Sequence, residues 1–156
     1  MATLILSLLI PLNDISTDVQ NPPEFRAVRQ LSENQNRDYS FGEDKAHRQR
    51  KLYPTISGLK TPLAAIEVYL LVKQVLEMDP EFKQFFWSPQ EFRVEAIAET
   101  SRLHFKDDVV IEVRDLGGHR EIQIRSKSRV GKSDLGANAK RINRIFAQLQ
   151  LNPTWR

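Results

Sequence analysis

At 156 residues, with 40% hydrophobic and 28% charged side chains, the chain has the composition of one folded domain and of neither a disordered nor a collagen-like polymer. Its 23 Lys and Arg stand against 20 Asp and Glu, a formal charge of +3; this is too balanced to argue for nucleic acid, whose binders concentrate cations on one face. The absence of cysteine excludes disulfides, thiolate metal sites and a cysteine nucleophile.

The chain opens on an apolar run, Ala2 to Leu12 (ATLILSLLIPL), of eleven residues, about half of what a bilayer-spanning helix needs. No Lys or Arg precedes Arg26, so the run lacks the basic flank of a secretory signal. Two readings stay open: a buried N-terminal strand or helix, or the end of a membrane segment. Residues 13–23 (NDISTDVQNPP) carry the turn-forming chemistry of an arm or linker. Residues 32–51 are polar throughout and end in Lys45, Arg48, Arg50 and Lys51, which reads as a solvated loop with a short helix.

Thr61-Pro62 has the form of a helix N-cap followed by proline at the first helical position, and Asp79-Pro80 ends the element. The helix so bounded, 62–78, is apolar nearly all round and calls for burial on more than one side. From Glu91 the period changes to two. Phe92, Val94, Ala96 and Ala98 alternate with Arg93, Glu95, Ile97 and Glu99; Val109, Ile111 and Val113 continue the pattern, and Asp115-Leu116-Gly117-Gly118 turns the chain into a third run, 120–129. Alternation of this kind implies an antiparallel sheet with one covered and one wetter face. Leu135, Ile142, Ile145, Phe146 and Leu149 then recur at helical spacing behind Ser133 and Asp134, predicting a closing helix over 134–149.

The expected fold is α+β: an antiparallel three- or four-stranded sheet with an N-terminal apolar helix and a C-terminal helix packed on one face. The chain divides into an apolar segment (1–12), a polar arm and loop (13–53), the core domain (54–150) and a tail (151–156).

Gly131-Lys132-Ser133 has the form of a phosphate-binding loop's tail, but the glycine required five positions earlier is Ser126, and the flanking strands read as antiparallel. A broader expectation is an anion site: Arg125, Lys127, Arg129 and Lys132, with Ser133 and Arg141, gather toward the start of the last helix, whose free amides favour negative charge. The competing account has Asp134 capping that helix. Asp107 and Asp108 are adjacent and entering a strand, so they point to opposite faces and cannot share a proton; they read as a turn. His47, His104 and His119 show no metal-ligand spacing, and neither a metal nor a cofactor is expected. The aromatic cluster Phe82, Phe85, Phe86 and Trp87 reads as packing.

FKDDVVIEV (105–113), IRSKSRVGKSDLGANAKRI (124–142) and LNDISTDVQNPPEF (12–25) resemble the domain of unknown function 1499 family over roughly residues 11–149. The positions that carry the likeness are Asp14, Thr17, Asp18, Pro22, Pro23, Asp107, Asp108, Ser128, Arg129, Gly131, Ser133, Asp134, Gly136, Asn138 and Arg141. The family brings no established activity. The resemblance implies a cell-envelope or membrane-associated protein in preference to a cytoplasmic one, with membrane contact through the N-terminal segment. One physical expectation follows for the arm: Asp14 and Asp18 dock onto the region of Arg125, Arg129 and Arg141.

The function expected is therefore a non-enzymatic module binding an anionic small molecule, a lipid headgroup or a protein partner through the basic turn. The alternative is an enzyme with a cleft carboxylate or histidine, for which a carboxylate beside His104 or His119 with a shifted pKa would argue.

Overall fold

The protein is described by a computed structural model covering residues 10–155. Six strands form one antiparallel sheet: β1 (Asp14–Ser16), β2 (Leu59–Thr61), β3 (Phe82–Ser88), β4 (Arg93–Glu99), β5 (Lys106–Asp115) and β6 (Arg120–Ser128). Strands β3 to β6 make the meander that the period-two pattern predicts, and the outer edge of β6 is shared by β1, opposite 125–127, and β2, opposite 120–122. Among the described residues three α-helices accompany it: α1 (Glu43–Leu52), α2 (Ala65–Met78) and α3 (Ala137–Leu151). Among the described residues, no helix is long and apolar enough to cross a membrane. The two readings of residues 2–12 lie outside the described residues except at Ile10, Pro11 and Leu12.

Alternation along β4, β5 and β6 sorts the side chains into two layers. Val94, Ala96, Ala98, Val109, Ile111, Ile122 and Ile124 project to one face, where they meet Val68, Val72 and Leu76 of α2 and Ile142, Ile145 and Leu149 of α3. The opposite face carries Arg93, Glu95, Glu112, Gln123, Arg125 and Lys127, most of them buried. It is not a wetter face. The arm between β1 and α1 folds over it, placing Phe25, Val28 and Tyr39 against Ile97 and Val110 in a second, smaller core. Polar alternation cannot distinguish a solvated face from one covered by a loop that brings matching polar groups.

The expected three or four strands thus become six. β1 and β2 are three residues each, too short to show a period, and β3 loses its alternation to a register shift between Phe82 and Gln84. The apolar helix begins at Ala65 and not at 62: Thr61 ends β2, and the Glu67 carboxylate accepts the Ala64 amide at 2.9 Å. The closing helix begins at Ala137, after Gly136 in the left-handed region (φ 87°), and runs to Leu151. Residues 13–53, read from sequence as arm and loop, supply β1 and α1. The Gln49 side chain of α1 accepts the Ser16 amide at 2.9 Å and donates to the Ser16 carbonyl at 2.6 Å, closing the free edge of β1 as a further strand would. Asp107 and Asp108 lie within β5 and make no turn, because their carboxylates are held by arginines on the two faces of the sheet.

Candidate functional site

Chain direction in β5 and β6 sends successive side chains to opposite faces, so the predicted anion-site residues cannot all converge. On the arm face, the Arg125 guanidinium donates to both oxygens of Asp14, at 2.9 and 2.8 Å, and to the Tyr39 carbonyl at 2.8 Å; the Phe25 and Phe41 rings stack on it. Four residues further along β6 and its extension, Arg129 donates twice to Asp108 Oδ1, at 2.9 and 2.7 Å. Tyr39 donates its hydroxyl to the other Asp108 oxygen at 2.7 Å. Burial and this contact with Asp108 push the Tyr39 phenol well above its ordinary pKa, so it remains a donor.

On the helix face, Arg141 is fully enclosed and spends its donors on Asp107 (2.7 Å), Glu81 (2.6 Å), Ser126 (2.9 Å) and Asn138 (2.8 Å). The Asp134 carboxylate accepts the backbone amides of Gly136 (2.8 Å) and Asn138 (3.0 Å) and the Asn138 side-chain amide (2.7 Å). The start of α3 is thus occupied by the protein's own carboxylate, the competing account left open by the sequence. Lys132 is exposed in the loop before it, and Ser133 accepts the Leu135 amide at 3.4 Å. Of the six predicted residues, Arg125 and Arg129 on the arm face and Arg141 on the helix face are committed to internal carboxylates.

The docking of the arm follows the expected chemistry with one redistribution. Asp14 does reach Arg125, while Asp18 pairs with Arg114 at 2.7 Å. Glu95, which the sequence reading placed on the wet face, collects three consecutive arm amides, those of Arg26 (2.7 Å), Ala27 (2.9 Å) and Val28 (2.9 Å), and an Arg93 donor at 2.9 Å. Arg93 also reaches Glu112 at 2.9 Å.

Lys127 differs from its arginine neighbours. Its residue is only 9% exposed, yet its ammonium donates no hydrogen bond to any described residue. Burial lowers its pKa below the ordinary lysine value, and the attraction of nearby Asp14, already held by Arg125 and Lys45, offsets this only in part. It lines a cleft of about 370 Å³ with Asn13, Asn36, Arg37, Asp38, Lys45, Asp108, Ser128 and Arg129. Four cations and two carboxylates line this space, so positive charge is in excess by two. The sequence does place Lys127 among the anion-site candidates, but nothing in it indicates Arg37, Lys45 or Asn13 as neighbours, since they come from the arm and from α1.

A second cleft, of about 640 Å³, lies at the other edge of the same sheet end and contains Glu81, Lys83, Glu99, Thr100 and His104. There His104 Nδ1 lies 2.6 Å from Glu99 Oε1.

Fold and site together define an α+β domain in which a polar arm is fastened to an antiparallel sheet by buried arginine–carboxylate pairs. The chain belongs to the DUF1499 family of proteins of unknown function, whose profile matches residues 14–149. No curated protein matches it. Most of the side chains that carry the sequence likeness are members of these pairs and their hydrogen-bond partners: Asp14, Asp18, Asp107, Asp108, Ser128, Arg129, Asp134, Asn138 and Arg141.

Proposed function

We propose that the protein is a non-enzymatic binding module that holds a small anionic group, of the kind found in phosphates and carboxylates, in the cleft at Lys127. The observation that carries this reading is the charge of that cleft, where the mostly enclosed Lys127 stands with Lys45, Arg37 and Arg129 against Asp38 and Asp108. Partly desolvated positive charge in excess is costly, and an anion placed against it relieves the cost. Lys45, Arg37 and Asn13 supply the remaining donors. Envelope association belongs to the same proposal and rests on the family likeness and on the apolar run at residues 2–12.

The enzyme alternative finds its best footing in the Glu99 and His104 pair. It is less well supported, because the His104 side chain is 73% exposed and its hydrogen bond holds Glu99 below the usual glutamate value. That is the behaviour of a surface ion pair and not of an acid or base poised near neutrality.

The test is thermal denaturation with inorganic phosphate, sulfate and glycerol phosphate, for the wild type and Lys127→Met. A ligand at a hundred times its dissociation constant stabilises the wild type by about 2.7 kcal/mol. Lys127→Met loses that response and is, without ligand, at least as stable as the wild type. A variant that is destabilised, with no anion response in either protein, would make Lys127 a structural cation and sink the reading.

A further inference from the structure

The end of the sheet where β4 passes into β5 and β6 passes into α3 carries four exposed large apolar side chains: Leu103 (66% exposed), Phe105 (45%), Val130 (55%) and Leu135 (50%). The two loops adjoin, because Asp107 is paired with Ser128 and the Arg129 amide donates to the Lys106 carbonyl at 3.0 Å. Phe105 and Val130 therefore leave the ends of neighbouring strands side by side. Interspersed with them are Arg102, Lys106 and Lys132, all exposed, whereas Asp134, the one acid between Thr100 and Lys106 or between Arg129 and Gly136, is taken up by the amides at the start of α3. The acids packed against this end are Glu99, engaged by His104, Glu33, half-exposed and paired with Arg129, and the internally paired Asp107 and Asp108.

Residues 12 and 13 are fastened to the same end: the Asp134 amide donates to the Leu12 carbonyl at 3.2 Å, and the Ser128 amide to the Asn13 carbonyl at 2.8 Å. Since β1 runs antiparallel to β6, Leu12 and Asn13 lie toward the Ser128 end of the sheet. In the sequence these residues follow the stretch ATLILSLL, 2–9, in which six of the eight side chains are apolar.

From this juxtaposition we infer that the loop end formed by residues 100–106 and 129–136 docks on an anionic lipid bilayer, with the apolar side chains entering the interface and Arg102, Lys106 and Lys132 meeting the headgroups. Exposed apolar groups ringed by cations are the composition of an interfacial membrane contact, in which apolar burial and attraction to anionic lipid add. The occupant is a lipid surface and not an apolar protein groove, because the exposed apolar side chains sit on loops with a cationic fringe and the stretch 2–9, rich in apolar residues, precedes Leu12 in the sequence. The inference does not depend on what fills the Lys127 cleft.

The experiment is co-sedimentation of the full chain with vesicles of phosphatidylcholine, alone and with a minor fraction of phosphatidylglycerol. The proteins compared are the wild type, Leu103→Ser/Phe105→Ser, Val130→Ser/Leu135→Asn, Arg102→Glu/Lys132→Glu and Lys127→Met. Asn is chosen at 135 because that position has a positive φ of 53°. Wild-type partitioning should favour the anionic vesicles, and each loop variant should lose about tenfold or more of it. The loop variants keep the wild-type melting temperature because the altered side chains are exposed, and Lys127→Met keeps wild-type partitioning. Absence of wild-type binding, or equal binding by all loop variants, would overturn the inference; the latter would assign any membrane affinity to residues 2–9 alone.

Discussion

Asp14 and Arg125 meet in a two-point pair, Nε to Oδ1 at 2.9 Å and Nη2 to Oδ2 at 2.8 Å, with both side chains buried and a separation of 111 positions in the sequence. The pair fixes the start of the arm to the centre of β6, and Arg125 continues through the Tyr39 carbonyl to fix its end. Removing Asp14 leaves the buried Arg125 without a counter-ion, and removing Arg125 leaves Asp14 with Lys45 alone. Arg125→Ala and Asp14→Ala should each lower stability by about 3–5 kcal/mol in urea unfolding. Asp14→Leu combined with Arg125→Met should cost much less than the sum of the two single changes, since the two enclosed charges go together and only the part-exposed Lys45 loses a partner. Strict additivity of the two would show that the pair is not coupled.

Arg129 closes the same arm at a second point. With Arg129 replaced by Ala, Asp108 retains the Tyr39 hydroxyl, and Asn34 at 3.5 Å, but no positive charge in contact. The expected outcome is a lower melting temperature and faster proteolytic cleavage within 29–41. Asp18→Ala is the contrasting case. Its pair with Arg114 is about a quarter exposed on both sides, so its loss should cost no more than about 1 kcal/mol. Equal effects of the two substitutions would argue against burial as the source of Arg129's contribution.

The meander and the closing helix are legible in the sequence because β4, β5, β6 and α3 are long enough to display a period. What the pattern cannot convey is where the polar half of each strand goes. Arg93, Glu95 and Arg125 have the same spacing as solvent-facing residues, and only the fold shows that arm amides, carbonyls and carboxylates cover them. The docking of Asp14 on Arg125 is foreseeable from acidic and basic residues in segments of unlike position, whereas the choice of Arg114 for Asp18 depends on register. For the site, the cation on β6 is visible and its cleft is not. Arg37 and Lys45 sit in a polar stretch that reads as solvated, and no local periodicity connects them to Lys127.

Glu81 sets an acid limit on stability. Burial alone would raise its pKa, but hydrogen bonds and attraction from Arg141, then Arg144, outweigh burial and hold it below the ordinary glutamate value of 4.5. Because the folded pKa is the lower one, its contribution is fully present above about the unfolded value and is lost as pH falls through the folded one. Asp107 on the same arginine has the opposite sign: burial raises its pKa despite Arg141, so it takes up a proton more readily in the fold. Urea midpoints measured from about pH 7 to pH 3 should fall on the acid side for the wild type, and Glu81→Gln should be less stable at neutrality with a flatter acid limb. An unchanged slope in the variant would remove Glu81 from the account.

Lys127 carries the pH dependence of the other sign, on both stability and binding. Its folded pKa lies below the ordinary value of 10.5, first because of burial, so the fold disfavours the charged ammonium. The free protein should therefore become more stable as pH rises through that folded pKa toward the unfolded one, and anion binding, which requires the ammonium, should weaken over the same window. Sulfate is the suitable probe because it does not titrate there, and isothermal titration at successive pH values gives the affinity directly. Lys127→Met should show no sulfate binding at any of them. Lys127→Arg keeps its charge to higher pH, so whatever affinity it retains should persist where the wild type has lost its own. A wild-type affinity that stays constant through the alkaline range would mean that the bound anion does not face Lys127.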